Sequence, residues 1–190
     1  MRALAIVATA ILAATAGLAA PLTYRLDPGA SAVSFVVSVG NSPLKGTMPV
    51  STADLLLDFD QAAASRVDVV LSPVGARMGL PFATEAMKGP DVLAVARYPE
   101  IRFVSTRVRA DGDGATVEGD ITIRGVTRPI TLAARLYRPE GSQPGHRKDL
   151  TIRLTGAVSR AAFGATGFAE LVGDDVRLDI TARILLADGN

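Results

Sequence analysis

Apolar and polar residues alternate with a period of two along most of the chain, the pattern of strands buried on one face. From Ala115 to Arg124, one face carries Ala115, Val117, Gly119, Ile121 and Ile123, and the other Thr116, Glu118, Asp120, Thr122 and Arg124. Val176, Leu178, Ile180, Ala182 and Ile184 alternate with Arg177, Asp179, Thr181 and Arg183. Leu150, Ile152 and Leu154 form a third row, and Ile130, Leu132, Ala134 and Leu136 a fourth. Upstream lie Val33, Phe35, Val37 and Val39, then Leu55, Leu57 and Phe59, then Val67, Val69 and Leu71. Ile101 to Val108 is strand-like too, but its inward face is ambiguous.

Turn chemistry separates these runs. Asp111-Gly112-Asp113-Gly114 is a hairpin signal. Asp27-Pro28-Gly29, Pro139-Glu140-Gly141 and Gly173-Asp174-Asp175 are read as further breaks. About eight strands at this spacing predict an all-β fold, an antiparallel sandwich or closed barrel. The exception is Pro81 to Arg97, where a short helix is expected near Phe82 to Lys88, followed by a loop from Gly89-Pro90. Gly125 is expected in a turn with positive φ, and Pro129 at the start of a strand.

The first residues do not share this alternation. Arg2, the apolar run Ala3 to Ala16, and the small residues Gly17, Ala19 and Ala20 have the layout of a secretory signal peptide. The expected cut follows Ala19, leaving a single domain over residues 20–190 and a periplasmic, secreted protein. The apolar run is too short for a comfortable membrane span, so no stable membrane insertion is expected.

Charge narrows the function further. The chain carries 20 basic and 19 acidic residues, and loss of Arg2 leaves 19 of each. The arginines are dispersed, which argues against the basic stripe of a nucleic-acid binder. Absence of cysteine excludes thiol catalysis and thiolate metal sites. The single histidine, His146, lies in a polar loop and reads as solvated; it supports neither a metal site nor a triad. Asp111 and Asp113 read as a turn and not as half of a calcium loop. Asp58 and Asp60 read as a solvated strand end and not as an acid–base pair. No phosphate loop, dinucleotide fingerprint or nucleophile elbow occurs, so neither an enzyme nor a cofactor is expected.

Ordered segments along the chain resemble the YceI-like family. They are Tyr24-Arg25-Leu26-Asp27-Pro28 with Ser31-Ala32-Val33-Ser34-Phe35, then Gly46 and Leu57-Asp58-Phe59-Asp60, then Tyr98-Pro99-Glu100-Ile101-Arg102-Phe103. Gly119-Asp120-Ile121-Thr122-Ile123-Arg124-Gly125-Val126-Thr127-Arg128-Pro129 is the most specific. Ser159-Arg160, Phe163-Gly164 and Val172-Gly173-Asp174 follow. Ala30 and Ser38-Val39-Gly40 stand where the family commonly carries histidines, and Met78 to Glu85 replaces another family segment.

The resemblance implies an extended lipocalin-like antiparallel barrel that holds a long-chain isoprenoid, an isoprenoid quinone or a similar amphiphilic lipid, with no catalytic residues. The aliphatic faces and an aromatic content of only 5%, with no Trp, leave room for such a guest. The expected lining is Phe35, Val37, Leu57, Val69, Phe82, Met87, Leu93, Phe103, Ile121, Ile123, Leu132, Phe163 and Phe168. Arg160 is expected to cap the mouth or to form a structural pair, the latter preferred. The alternative is a partner-binding or structural barrel with a filled core, associated with a membrane redox complex. Open edges and apolar rims are also compatible with a homodimer.

Overall fold

A computed structural model describes residues 20–187; the expected signal peptide, residues 1–19, lies outside them. Alternation becomes eleven strand segments in one antiparallel sheet. They are β1 (Leu22–Leu26), β2 (Ala32–Val39), β3 (Ser42–Met48), β4 (Val50–Leu57), β5 (Arg66–Leu71) and β6 (Arg77–Met78), then β7 (Ile101–Asp111), β8 (Gly114–Ile123), β9 (Val126–Tyr137), β10 (Asp149–Ser159) and β11 (Val172–Leu186). Eight of them close a barrel in the order β1-β4-β5-β7-β8-β9-β10-β11, sealed by the pairing of β11 with β1. The all-β, lipocalin-like expectation is met.

Closure depends on the length of β11. Its 15 residues span about 50 Å at some 3.3 Å per residue. Its C-terminal end pairs with β1, and its N-terminal part with β2. The turn at Asp27-Pro28-Gly29 separates β1 from β2, Pro49 separates β3 from β4, and a 3₁₀ turn at Pro73–Gly75 separates β5 from β6. Beyond these breaks β2, β3 and β6 continue as a flap past the closed barrel. Between β6 and β7 lies α1 (Pro81–Lys88), the only α-helix among the described residues. Pro81 suits its first turn, where an N–H has no helical partner in any case.

Two expectations need correction. Pro129 sits inside β9, opposite Asp120. It is tolerated because β10 pairs only with Ala133 to Tyr137, which leaves this part of β9 as an edge. Gly173-Asp174-Asp175 is not a turn but an irregularity within β11, where the register with β2 shifts between Val172 and Val176. The ambiguous face of β7 has a similar origin. Its register with β8 shifts between Ser105 and Arg107, so Ile101, Phe103 and Ser105 face inward before the shift, and Val108 after it. The β8–β9 turn agrees with expectation, with Gly125 at φ 74° and Arg124 also left-handed at φ 53°.

Candidate functional site

The inward rows do not meet at the barrel axis. They enclose a cavity of about 1150 Å³ whose walls are overwhelmingly Val, Ile, Leu, Ala and Phe. Pockets for drug-sized ligands run from roughly 300 to 1000 Å³, so this volume suits a longer guest. Every residue expected to line such a space borders it, from Phe35, Val37, Leu57 and Val69 through Phe82, Met87, Leu93 and Phe103 to Ile121, Ile123, Leu132, Phe163 and Phe168. Val39, Leu44, Leu80, Leu154, Leu171 and Leu178 also border it and were not anticipated. Strand alternation could have supplied Leu154 and Leu178; Leu80 and Leu171 lie in connections, where no period marks an inward face.

Two aromatic side chains are kept out of the lumen by glycines. Phe35 stands directly across from Gly46, and a Cβ on Gly46 would overlap its ring. The ring of Phe103 covers Gly119 in the same way, a Cβ there meeting ring carbons at 2.5 and 2.6 Å. Both rings therefore lie against the wall, and the space that they would otherwise fill stays open.

The two ends of the barrel differ. One end holds Tyr24, Leu150 and Ile184, all fully buried. Tyr24 donates its hydroxyl to the Arg147 carbonyl at 2.9 Å and meets Phe59 edge to face. Burial raises the Tyr24 pKa, with Arg147 acting weakly in the opposite direction. Arg147 forms a two-pronged ion pair with Asp60, which holds that carboxyl below its usual value. At the other end, the β2–β3 turn, α1, and the segment from Arg160 to Leu171 surround an opening. Gly40 N–H donates to the Leu171 carbonyl and Gly79 N–H to the Lys45 carbonyl, joining these pieces into a rim. Leu80, Phe82, Phe168 and Leu171 on this rim are exposed, Phe82 by 73%. Phe168 adopts φ 59°, a left-handed conformation uncommon for a bulky residue.

Few polar side chains border the lumen, and two of the charged ones are buried. Asp58 is buried, not solvated as expected, because Oδ1 accepts the N–H groups of Asp60 and Gln61 at 2.9 and 2.7 Å and so caps the turn after β4. Asp60 is exposed and paired with Arg147, so the two acids do not act together. Arg160 is also buried, and forms no ion pair of the structural kind expected; Nη2 donates to the Gly167 carbonyl at 2.6 Å. His146 is half-buried, not solvated. It contacts Asp149, which in turn holds Arg183, but none of the three borders the cavity. Asp113 and Arg135, which also border the lumen, form an exposed ion pair, and among the described residues no titratable pair converges there in the manner of an acid–base site.

Among the described residues, no helix is long and apolar enough to cross a membrane. The barrel superposes on Burkholderia cenocepacia BcnA with a TM-score of 0.75 at 21% identity, covering 84% of this chain and 99% of that one. A Campylobacter jejuni YCEI protein gives a TM-score of 0.61 at 20% identity, over 75% of this chain and 85% of that one. These likenesses concern the fold. In sequence, the chain is 31% identical to Protein YceI of Escherichia coli O17:K52:H18 over 169 residues, 87% of this chain and 82% of the relative. Protein YceI of Shigella flexneri is 30% identical over the same span. The profile of the YceI-like domain matches residues 24–184, and with that match the chain belongs to the YceI-like family.

Proposed function

We propose that this protein is a non-enzymatic periplasmic carrier that holds one long-chain isoprenoid, isoprenoid quinone or similar amphiphilic lipid. The cavity carries this reading: it is large, aliphatic, and reaches the rim that bears Leu80, Phe82, Phe168 and Leu171. Each CH₂ of a guest removed from water contributes about 0.8 kcal/mol, so an enclosed chain binds well with few polar contacts. The Ala-rich leader supports export. The residues that border the lumen, Phe35, Val37, Leu57 and Phe103 among them, are proposed as the lipid contacts.

A second reading draws on the exposed rim. Leu80, Phe82, Phe168 and Leu171 would suit a protein partner, such as a membrane redox complex, or a second copy of this chain. The filled core that accompanied that alternative is not what the barrel contains. Native mass spectrometry of protein purified from its own periplasm, followed by organic extraction, tests the first reading. A stoichiometric isoprenoid or quinone is expected. Empty protein that also refuses added isoprenoids would overturn it, and the same spectrum reads monomer against dimer.

A further inference from the structure

We propose that Arg160 is the polar anchor of the cavity, and that it selects guests whose head carries an acceptor oxygen: carboxylate, phosphate or carbonyl. This rests on the reading of the cavity as a lipid site and gives that site a direction.

Arg160 follows the end of β10, borders the lumen, and is only 9% exposed. A guanidinium stays charged in any protein setting and carries five N–H donors. One hydrogen bond accounts for it, from Nη2 to the Gly167 carbonyl. Nε and Nη1 have no acceptor among the described residues. They are not sealed in protein either, because among the described residues the only fully enclosed side-chain nitrogen or oxygen without a partner is Nε of Arg183. Arg160 borders the lumen, the side from which an acceptor could reach them. A buried charge with unfilled donors is costly unless a partner arrives.

Asp174, the acid that feels the Arg160 charge, does not fill that role. Asp174 accepts the Ala161 N–H at 2.8 Å and is held low chiefly by its hydrogen bond with Ser159. It balances the Arg160 charge from a distance and leaves the donors free. Asp58, the other buried charge on the lumen, is committed to the turn after β4. At the opposite end the exposed Arg135 pairs with Asp113 and the exposed Arg138 donates to the His146 carbonyl, so of the two buried charges Asp58 is spent on folding and Arg160 is available. Arg160 lies on the rim side, since Gly167, which it holds, also donates to the Asp91 carbonyl and belongs to the segment bearing Phe168. A guest would enter tail first, with its oxygen head stopping at Arg160.

The test uses displacement of the apolar dye N-phenyl-1-naphthylamine from the purified protein. The displacers are dodecanoate and dodecyltrimethylammonium, which share a chain and differ in the head. Dodecanoate is expected to displace the dye about tenfold or more better, the effect of one charge-assisted hydrogen bond. Arg160→Met should erase that preference while dye binding and cooperative unfolding persist. A folded Arg160→Met protein that keeps the preference would overturn the proposal, as would a wild-type protein without one. Should the variant fail to fold, a crystal structure of the wild-type dodecanoate complex decides. A carboxylate within hydrogen-bond distance of Arg160 supports the anchor, and one at the β7–β8 turn overturns it. Wild-type protein that binds no dye and no dodecanoate would instead sink the lipid-site reading, and the anchor with it.

Discussion

The two ends of the barrel are built from the same kinds of residue and put to opposite uses. At the Tyr24 end, large side chains interlock: Tyr24, Leu150 and Ile184 leave no exposed surface, and Phe59 and Arg147 close over them. At the Phe82 end, comparable side chains face water, and the strands that could have covered them splay into a flap. Apolar composition alone does not separate anchor from opening. The difference lies in pairing: at the first end β1 is bonded to both β4 and β11, whereas at the second β6 pairs with β3 alone and ends the sheet.

The largest effect should come from emptying the closed end. Tyr24→Ala removes a buried ring and its hydrogen bond, at a cost of about 3–5 kcal/mol on the scale of buried aromatic truncations. Urea denaturation measures this; a loss below about 1 kcal/mol would mean that this end is not the anchor. A smaller, opposite perturbation sharpens the comparison at the rim. Phe82→Ser should leave stability within about 0.5 kcal/mol, because the ring is already in water, while slowing the entry of dye in stopped-flow mixing. Equal stability losses in the two variants would erase the distinction between the ends. The smallest effect concerns acid. The lowered pKa of Asp60 reflects chiefly its hydrogen bond from Arg147. The unfolded chain takes up the proton first as pH falls, so the pair's contribution is present above the ordinary carboxylate value and is lost as pH drops through the lowered one. Asp60→Asn should lower stability slightly at neutral pH and make the acid-unfolding profile shallower, so that the two proteins converge once the pH falls below the lowered value.

Much of this was legible in the alternation. The rows at Ala115–Ile123 and Val176–Ile184 fix which residues face inward, because a strand has only two faces. The same logic fails at β7, where the register shift after Ser105 exchanges the faces midway and leaves neither row apolar. It fails at Asp58 for another reason: burial there follows from a backbone turn that accepts the carboxylate, which composition does not reveal. The rim residues Leu80 and Leu171 lie in connections and obey no period at all. Arg160 stood out in the sequence as a mouth or pairing residue, but only the path of the chain from Phe163 to Gly167 shows that a carbonyl, and not an acid, holds it.

The glycines beneath Phe35 and Phe103 make the calibre of the lumen a property of two absent methyl groups. An alanine at position 119 would have to displace both the Phe103 ring and the Val104 carbonyl, at 2.6 Å. The ring is the mobile element, and it has only the lumen to move into. One carbon would thus narrow the lumen and press on the neighbouring strand's backbone at once. A methyl-branched guest and a slim unbranched one would feel that carbon differently, so the wall acts as a gauge as well as a container.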